Sequence, residues 1–189
     1  MGHLISHRGV GPTQARVEAT KEAREPQSVS EVRSFLGLVN FSARYIPNLA
    51  TISELLRRLT KQNVKFRWKE EQKQAFQNLK NILADAPTLA FYDKDAETQV
   101  IADAGPVGLG AVLVQIHDGE RRVICYASRS LSEVEQRYSQ TEKGALALVW
   151  ACEQFHVYLC GISFKLITDY KPLEVIFGPR LKPSARIER

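Results

Sequence analysis

His117-Asp118-Gly119-Glu120 follows an apolar run, and that Asp-Gly pair restricts the fold of this chain more than any other feature. Asp-Gly supplies the positive φ that a two-residue hairpin turn needs. Residues 111–116 before it and 121–127 after it are therefore expected to pair as antiparallel strands. Residues 98–103, largely apolar and β-prone, precede them, with 106–110 as punctuation. The stretch predicts three consecutive antiparallel strands. Asp103 stands at the end of the first, just before Gly105-Pro106. A carboxylate there projects from a rigid sheet, within reach of a metal ion or a metal-bound phosphate.

Helical periodicity dominates the first half. In 28–45, Val32, Phe35, Leu36 and Val39 recur at i, i+3, i+4 and i+7, one apolar face, with Ser30 as the expected cap. Ile46-Pro47-Asn48 ends it. Residues 49–59 predict a second helix, with Ile52, Leu55, Leu56 and Leu59 inward and Arg57 and Arg58 outward. Residues 61–68, KQNVKFRW, read as a basic loop. Residues 70–84 predict a third helix on Ala75, Phe76, Leu79 and Ile82, stopped at Ala86-Pro87. Ahead of these lie half a hairpin (1–6), a turn-rich link (7–12) and a short polar segment open to helix (13–23). About ninety residues thus form a helical unit, enough for a small domain. Beyond the three strands come a short helix (132–137), a long helix (140–159) and a fourth strand (164–168) ending at Asp169. Lys171-Pro172 opens another helix, with proline at its permitted early position. The basic tail PRLKPSARIER reads as a connector.

Composition sets looser bounds. An apolar fraction of 44% supplies a core, and a net charge of +5 permits a polyanionic partner without demanding one. Cys125, Cys152 and Cys160 are an odd number without a CxxC pair, which disfavours a disulfide framework or zinc site and favours a reducing interior. No signal peptide or membrane span is legible, so the expectation is an intracellular chain, cytoplasmic or nuclear, with no membrane partner.

The order β-β-β-α-β-α, with acids at strand ends, is the α+β pattern of a ribonuclease H-like mixed sheet flanked by helices. The residues sharpen that pattern. EVRSFLGLVNFSARYIPN (31–48), FRWKEEQKQAFQNLKNILADAPTLAFYD (66–93), ADAGPVGLGAVLVQ (102–115), the stretch 126–151 and TDYKPL (168–173) resemble, in order and spacing, the reverse transcriptase of Gypsy-type LTR retrotransposons. Met1-Gly2-His3 resembles the end of that family's polymerase palm. The resemblance implies that residues 1–90 are the end of the palm, the thumb and the connection. It implies that 91–189 are a ribonuclease H-like domain cut short, without the palm that copies a template. Its expected partners are an RNA–DNA hybrid or other nucleic acid, and the palm and integrase segments of a polyprotein.

Such domains cleave the RNA strand of a hybrid with two divalent metals held by carboxylates, Mg2+ or Mn2+. By resemblance the ligands are an Asp on the first strand, a Glu on the long helix, an Asp after the fourth strand and a late Asp. Asp103 and Asp169 match the first and third. Each also has a structural explanation: Asp103 as a turn former, Asp169 as a helix cap. Gly144 occupies the Glu position, and the late Asp is expected past Arg189. Glu142 is no substitute, because two residues along a helix rotate a side chain by about 200°, and Ser139-Gln140-Thr141-Glu142 fits a capping box. The expectation is a weakly held metal and impaired or absent cleavage. Arg57, Arg58, Lys61, Lys65 and Arg67, interleaved with Phe66 and Trp68, suit either phosphate contacts or a solvated face with packed aromatics. A hybrid-cleaving enzyme by ancestry, a non-catalytic nucleic-acid-binding module and a decayed relic all remain open.

Overall fold

The computed structural model describes residues 3–7 and 9–176. The basic tail and the Met1-Gly2 match fall outside them. The chain opens with a hairpin, β1 (His3–Ser6) against β2 (Gly9–Pro12), and α1 (Gln14–Lys21) follows. Val10 and Leu89 exchange both backbone hydrogen bonds at 2.8 Å, which ties this hairpin to the far end of the helical half.

Helix α2 (Val29–Phe41) buries the expected Val32, Phe35, Leu36 and Val39. Its cap is Ser28 rather than Ser30: Ser28 Oγ accepts from Glu31 N at 3.2 Å, and Glu31 reaches back to Gln27 N at 2.8 Å. The helix expected over 49–59 is two short pieces, α3 (Leu49–Ile52) and α4 (Glu54–Arg58). Ser53 parts them, its Oγ turned back onto the Leu49 carbonyl at 2.6 Å. That competition with the backbone ladder is the reason serine breaks helices. Helix α5 (Glu70–Ala84) matches its predicted bounds. Leu56, Leu79 and Leu83 join the α2 face in one core, with Phe35 and Phe76 in ring contact at 4.5 Å.

The second core lies on a four-stranded sheet. β3 (Glu97–Ala104), β4 (Gly108–His117) and β5 (Glu120–Ser130) form the antiparallel meander, and β6 (Phe164–Ile167) adds to β3 in parallel, giving the order β5-β4-β3-β6. At the β4–β5 turn Asp118 and Gly119 take φ of 53° and 81°, the positive pair that Asp-Gly supplies. The register jumps from Leu113↔Cys125 to Val114↔Val123. This bulge leaves Ile124 as the extra residue, so consecutive Ile124 and Cys125 are both buried, which strict alternation forbids.

The long helix expected over 140–159 breaks at Phe155 into α6 (Gln140–Gln154) and α7 (His156–Leu159). Helix α6 covers the sheet face that carries Val100, Ala102 and Ala104. Helix α8 (Lys171–Ile176) follows β6. Among the described residues no helix is long and apolar enough to cross a membrane.

Candidate functional site

The parallel β3–β6 ladder ends at Ile101↔Ile167. Asp103 and Asp169 each stand two residues further on, at the same end of neighbouring strands, and both are exposed. Asp103 lies within β3 rather than in the turn, and its Oδ1 accepts the Ala104 N–H at 2.6 Å. Helix α6 fastens its first turn to both strand ends. Gln140 Nε2 donates to the Ala104 carbonyl at 3.1 Å, and Thr141 Oγ1 meets the Tyr170 hydroxyl at 3.1 Å. The residues following the two acids are thus held by adjacent positions of one helix. Hydrogen bonding in α8 starts from Tyr170, whose carbonyl accepts the Leu173 N–H at 3.0 Å.

Position 144 lies one turn further along α6. Gly144 is buried, and a Cβ built on it would come within 2.9 Å of Leu173 Cδ1 and 3.8 Å of Tyr170 Cδ1. Leu173, 1% exposed, occupies the space that a side chain at 144 would enter. Glu142 forms the capping box, accepting from Ser139 N at 3.0 Å and Ser139 Oγ at 2.9 Å. Among the described residues no three His, Cys, Asp or Glu side chains gather to hold a metal ion. A two-metal centre needs such a cluster, and the donors among the described residues do not fit one.

The helical half reaches Asp103 from the sheet face opposite α6. Gly110 pairs with Asp103 across β3 and β4, and a Cβ there would collide with Asn48 Oδ1. Asn48 adopts the left-handed conformation (φ 49°) just before α3. Ser128 fixes the corner, accepting from Ala50 N at 2.9 Å and donating to the Leu109 carbonyl at 3.0 Å. Pro47, Asn48, Asp103, Gly110, Val112 and Tyr126 line a cavity of about 170 Å³. Burial raises the Tyr126 hydroxyl's pKa. The sequence reading missed this corner. Its one signal was Asn after Pro, since Asn tolerates positive φ.

Of the basic residues, Arg57 is half-buried rather than outward, donating to Ser53 Oγ (2.8 Å) and Asn40 Oδ1 (3.0 Å). Arg58 pairs with Glu54 at 2.8 Å. Lys61, Lys65 and Arg67 are exposed. Phe66 and Trp68 pack against the helical core, and Trp68 Nε1 donates to Glu25 at 3.1 Å.

A family model described as the RNase H-like domain found in reverse transcriptase matches residues 68–166. The chain belongs to that family. Across 100% of its length it is 32% identical to the retrovirus-related Pol polyprotein from transposon 412 of Drosophila melanogaster. It is 31% identical over 176 residues to the transposon Tf2-3 polyprotein of Schizosaccharomyces pombe. It spans 15% and 13% of those proteins. Among solved structures, foamy viral protease-reverse transcriptase dRH in complex with ds DNA superposes over 100% of this chain and 34% of that one, with a TM-score of 0.78 at 21% identity. Foamy viral protease-reverse transcriptase in complex with RNA/DNA hybrid gives 0.77 at 22% identity, over 100% of this chain and 26% of that one. These two likenesses establish the fold, a ribonuclease H-like mixed sheet flanked by helices. The chain carries the ribonuclease H-like domain of a retrotransposon reverse transcriptase.

Proposed function

We propose that this chain binds nucleic acid, with an RNA–DNA hybrid as its intended substrate, but does not cleave it. The observation that carries this reading is Leu173 packed against Gly144, where the family resemblance calls for a metal-binding glutamate. Asp103 and Asp169 are the two carboxylates offered to a metal, and two ligands hold Mg2+ or Mn2+ weakly. Losing even an outer-shell partner of a ligand costs about 10–100-fold in metal affinity or activity, and losing the ligand itself costs at least that. In the same reading residues 1–90 are the end of the palm, thumb and connection of a Gypsy-type element. Arg58, Lys61, Lys65 and Arg67 contact phosphates from the exposed surface, and half-buried Arg57 supports them through Ser53 and Asn40.

The test is incubation of the purified chain with a labelled RNA–DNA hybrid and Mg2+ or Mn2+, alongside a binding assay. Binding without release of RNA fragments is expected. Robust cleavage that Asp103→Asn abolishes would overturn the proposal.

A further inference from the structure

At the end of the sheet remote from Asp103, the segment 87–93 and the β4–β5 hairpin enclose a cleft of about 700 Å³. Its apolar floor includes Pro87, Ala90 and Val123, Arg121 and Arg122 give it a cationic rim, and His7 and His117 also line it. Asp103 pairs with Gly110 and Glu97 with Ile116. The six residue steps between these pairs span about 20 Å of strand, so the cleft is separate from the carboxylate end.

Three observations mark it as a place for a ligand. First, Arg121 and Arg122 are exposed and have no ion-pair partner among the described residues. Second, Phe91 is 48% exposed although the chain on both sides of it is held. Ala90 N donates to the Val123 carbonyl at 2.7 Å. Tyr92 Oη donates to the Tyr158 carbonyl at 2.6 Å, and Gln115 Oε1 accepts from Asp93 N at 2.9 Å. The ring is therefore presented by a fixed backbone. Third, His117 Nε2 is buried with no hydrogen-bond partner among the described residues. Asp93 also borders the cleft, with Oδ1 accepting from Asp95 N at 3.0 Å, and its charge directs an anion toward the arginine side.

We infer that this cleft holds a single strand of nucleic acid, with phosphodiesters on Arg121 and Arg122 and an unstacked base on Phe91. Guanidinium groups beside an exposed ring on an apolar floor are the parts of a stacking platform with an electrostatic track. A duplex keeps its bases stacked on each other and leaves the ring unused. The inference rests on the reading that the chain binds nucleic acid.

The test is fluorescence anisotropy with a short labelled oligothymidine across a salt series. Arg121→Ala with Arg122→Ala is expected to flatten the slope of log K against log salt by about 1.4, at about 0.7 per phosphate contact on a single strand. The double lysine variant keeps the slope. Phe91→Ala is expected to weaken binding about tenfold with the slope unchanged. Wild-type slope and affinity in the double alanine variant, or no effect of Phe91→Ala, would overturn the inference while leaving hybrid binding intact. Displacement of the oligonucleotide by polyglutamate as readily as by unlabelled oligothymidine would overturn it too. Failure of the wild-type chain to bind either hybrid or single strand removes the functional proposal itself.

Discussion

A double-mutant cycle between Gly144 and Leu173 tests the packing on which the non-cleaving reading depends. Glycine inside a helix costs about 1 kcal/mol relative to alanine, so Gly144→Ala on an isolated α6 would stabilise by that amount. In the folded chain the new Cβ meets Leu173 Cδ1 at 2.9 Å, closer than carbon atoms settle. The obstacle is the tip of a flexible side chain, and Leu173 borders an apolar cavity of about 440 Å³ with Leu148, Val149 and Leu166. Leu173 can therefore turn aside into that space, at about 0.5–1.5 kcal/mol for an off-rotamer χ. Gain and cost nearly cancel, so Gly144→Ala alone is expected within about 0.5 kcal/mol of wild type. Leu173→Ala removes a buried side chain and costs about 2–5 kcal/mol, which a stability of about 5–15 kcal/mol tolerates. In that background the clash is gone, and Gly144→Ala is expected to stabilise by about 1 kcal/mol. The coupling energy is then about 1 kcal/mol, within the range for residues in contact. Urea unfolding of the four proteins measures it. Equal effects of Gly144→Ala in both backgrounds would show that Leu173 does not occupy the place of a side chain at 144.

Gly110→Ala is expected to destabilise by about 1–3 kcal/mol, because its Cβ would displace Asn48. Asn48→Gly should recover most of the loss, since glycine keeps the left-handed corner and removes the obstructing amide, and thermal melts of the three variants decide it. Glu135 is lowered from 4.5 to about 2, chiefly by its paired hydrogen bonds to Arg129 at 2.9 Å, opposed by burial and helped by Ser132. A depressed carboxylate stabilises fully above its unfolded value and loses that contribution as pH falls through the folded one. Wild type should therefore lose about 1–2 kcal/mol between pH 4.5 and 2 at this site, a loss absent in Glu135→Gln when both are unfolded across that range. Alkylation at neutral pH should label exposed Cys160 first and half-buried Cys152 more slowly. Cys125, raised to about 11 by burial, should react only on unfolding, and mass spectrometry against time gives the order.

The elements legible in the sequence were those whose local chemistry and tertiary packing agree. Helix α5 repeats its apolar positions without interruption, and its ends fall as read. The Asp118-Gly119 turn set the meander, because few other dipeptides accept two positive φ values in succession. Where the reading slipped, a side chain competed with the backbone or a contact came from far along the chain. Ser53 splits a helix that periodicity had joined. The β5 bulge buries two consecutive residues, which a period of two cannot express. The site divides in the same way. Asp103 and Asp169 were named from the motifs that carry the family resemblance, and the parallel register places both at one end of the sheet. The two glycines beside them were not legible, because glycine's reason for being somewhere is the atom that fills its missing side chain. For Gly110 that atom is Asn48 Oδ1, sixty-two positions away; for Gly144 it is Leu173 Cδ1, twenty-nine positions away. The consequence is directional. A glutamate restored at 144 carries the same Cβ as alanine and a longer chain beyond it, so it competes with Leu173 for one space. Gly144→Glu combined with Leu173→Ala is therefore expected to place a carboxylate beside the strand ends more readily than Gly144→Glu alone. Mn2+ affinity, measured by titration on the two proteins, should rank them in that order, and the reverse ranking would mean that Leu173 is not what stands in the way.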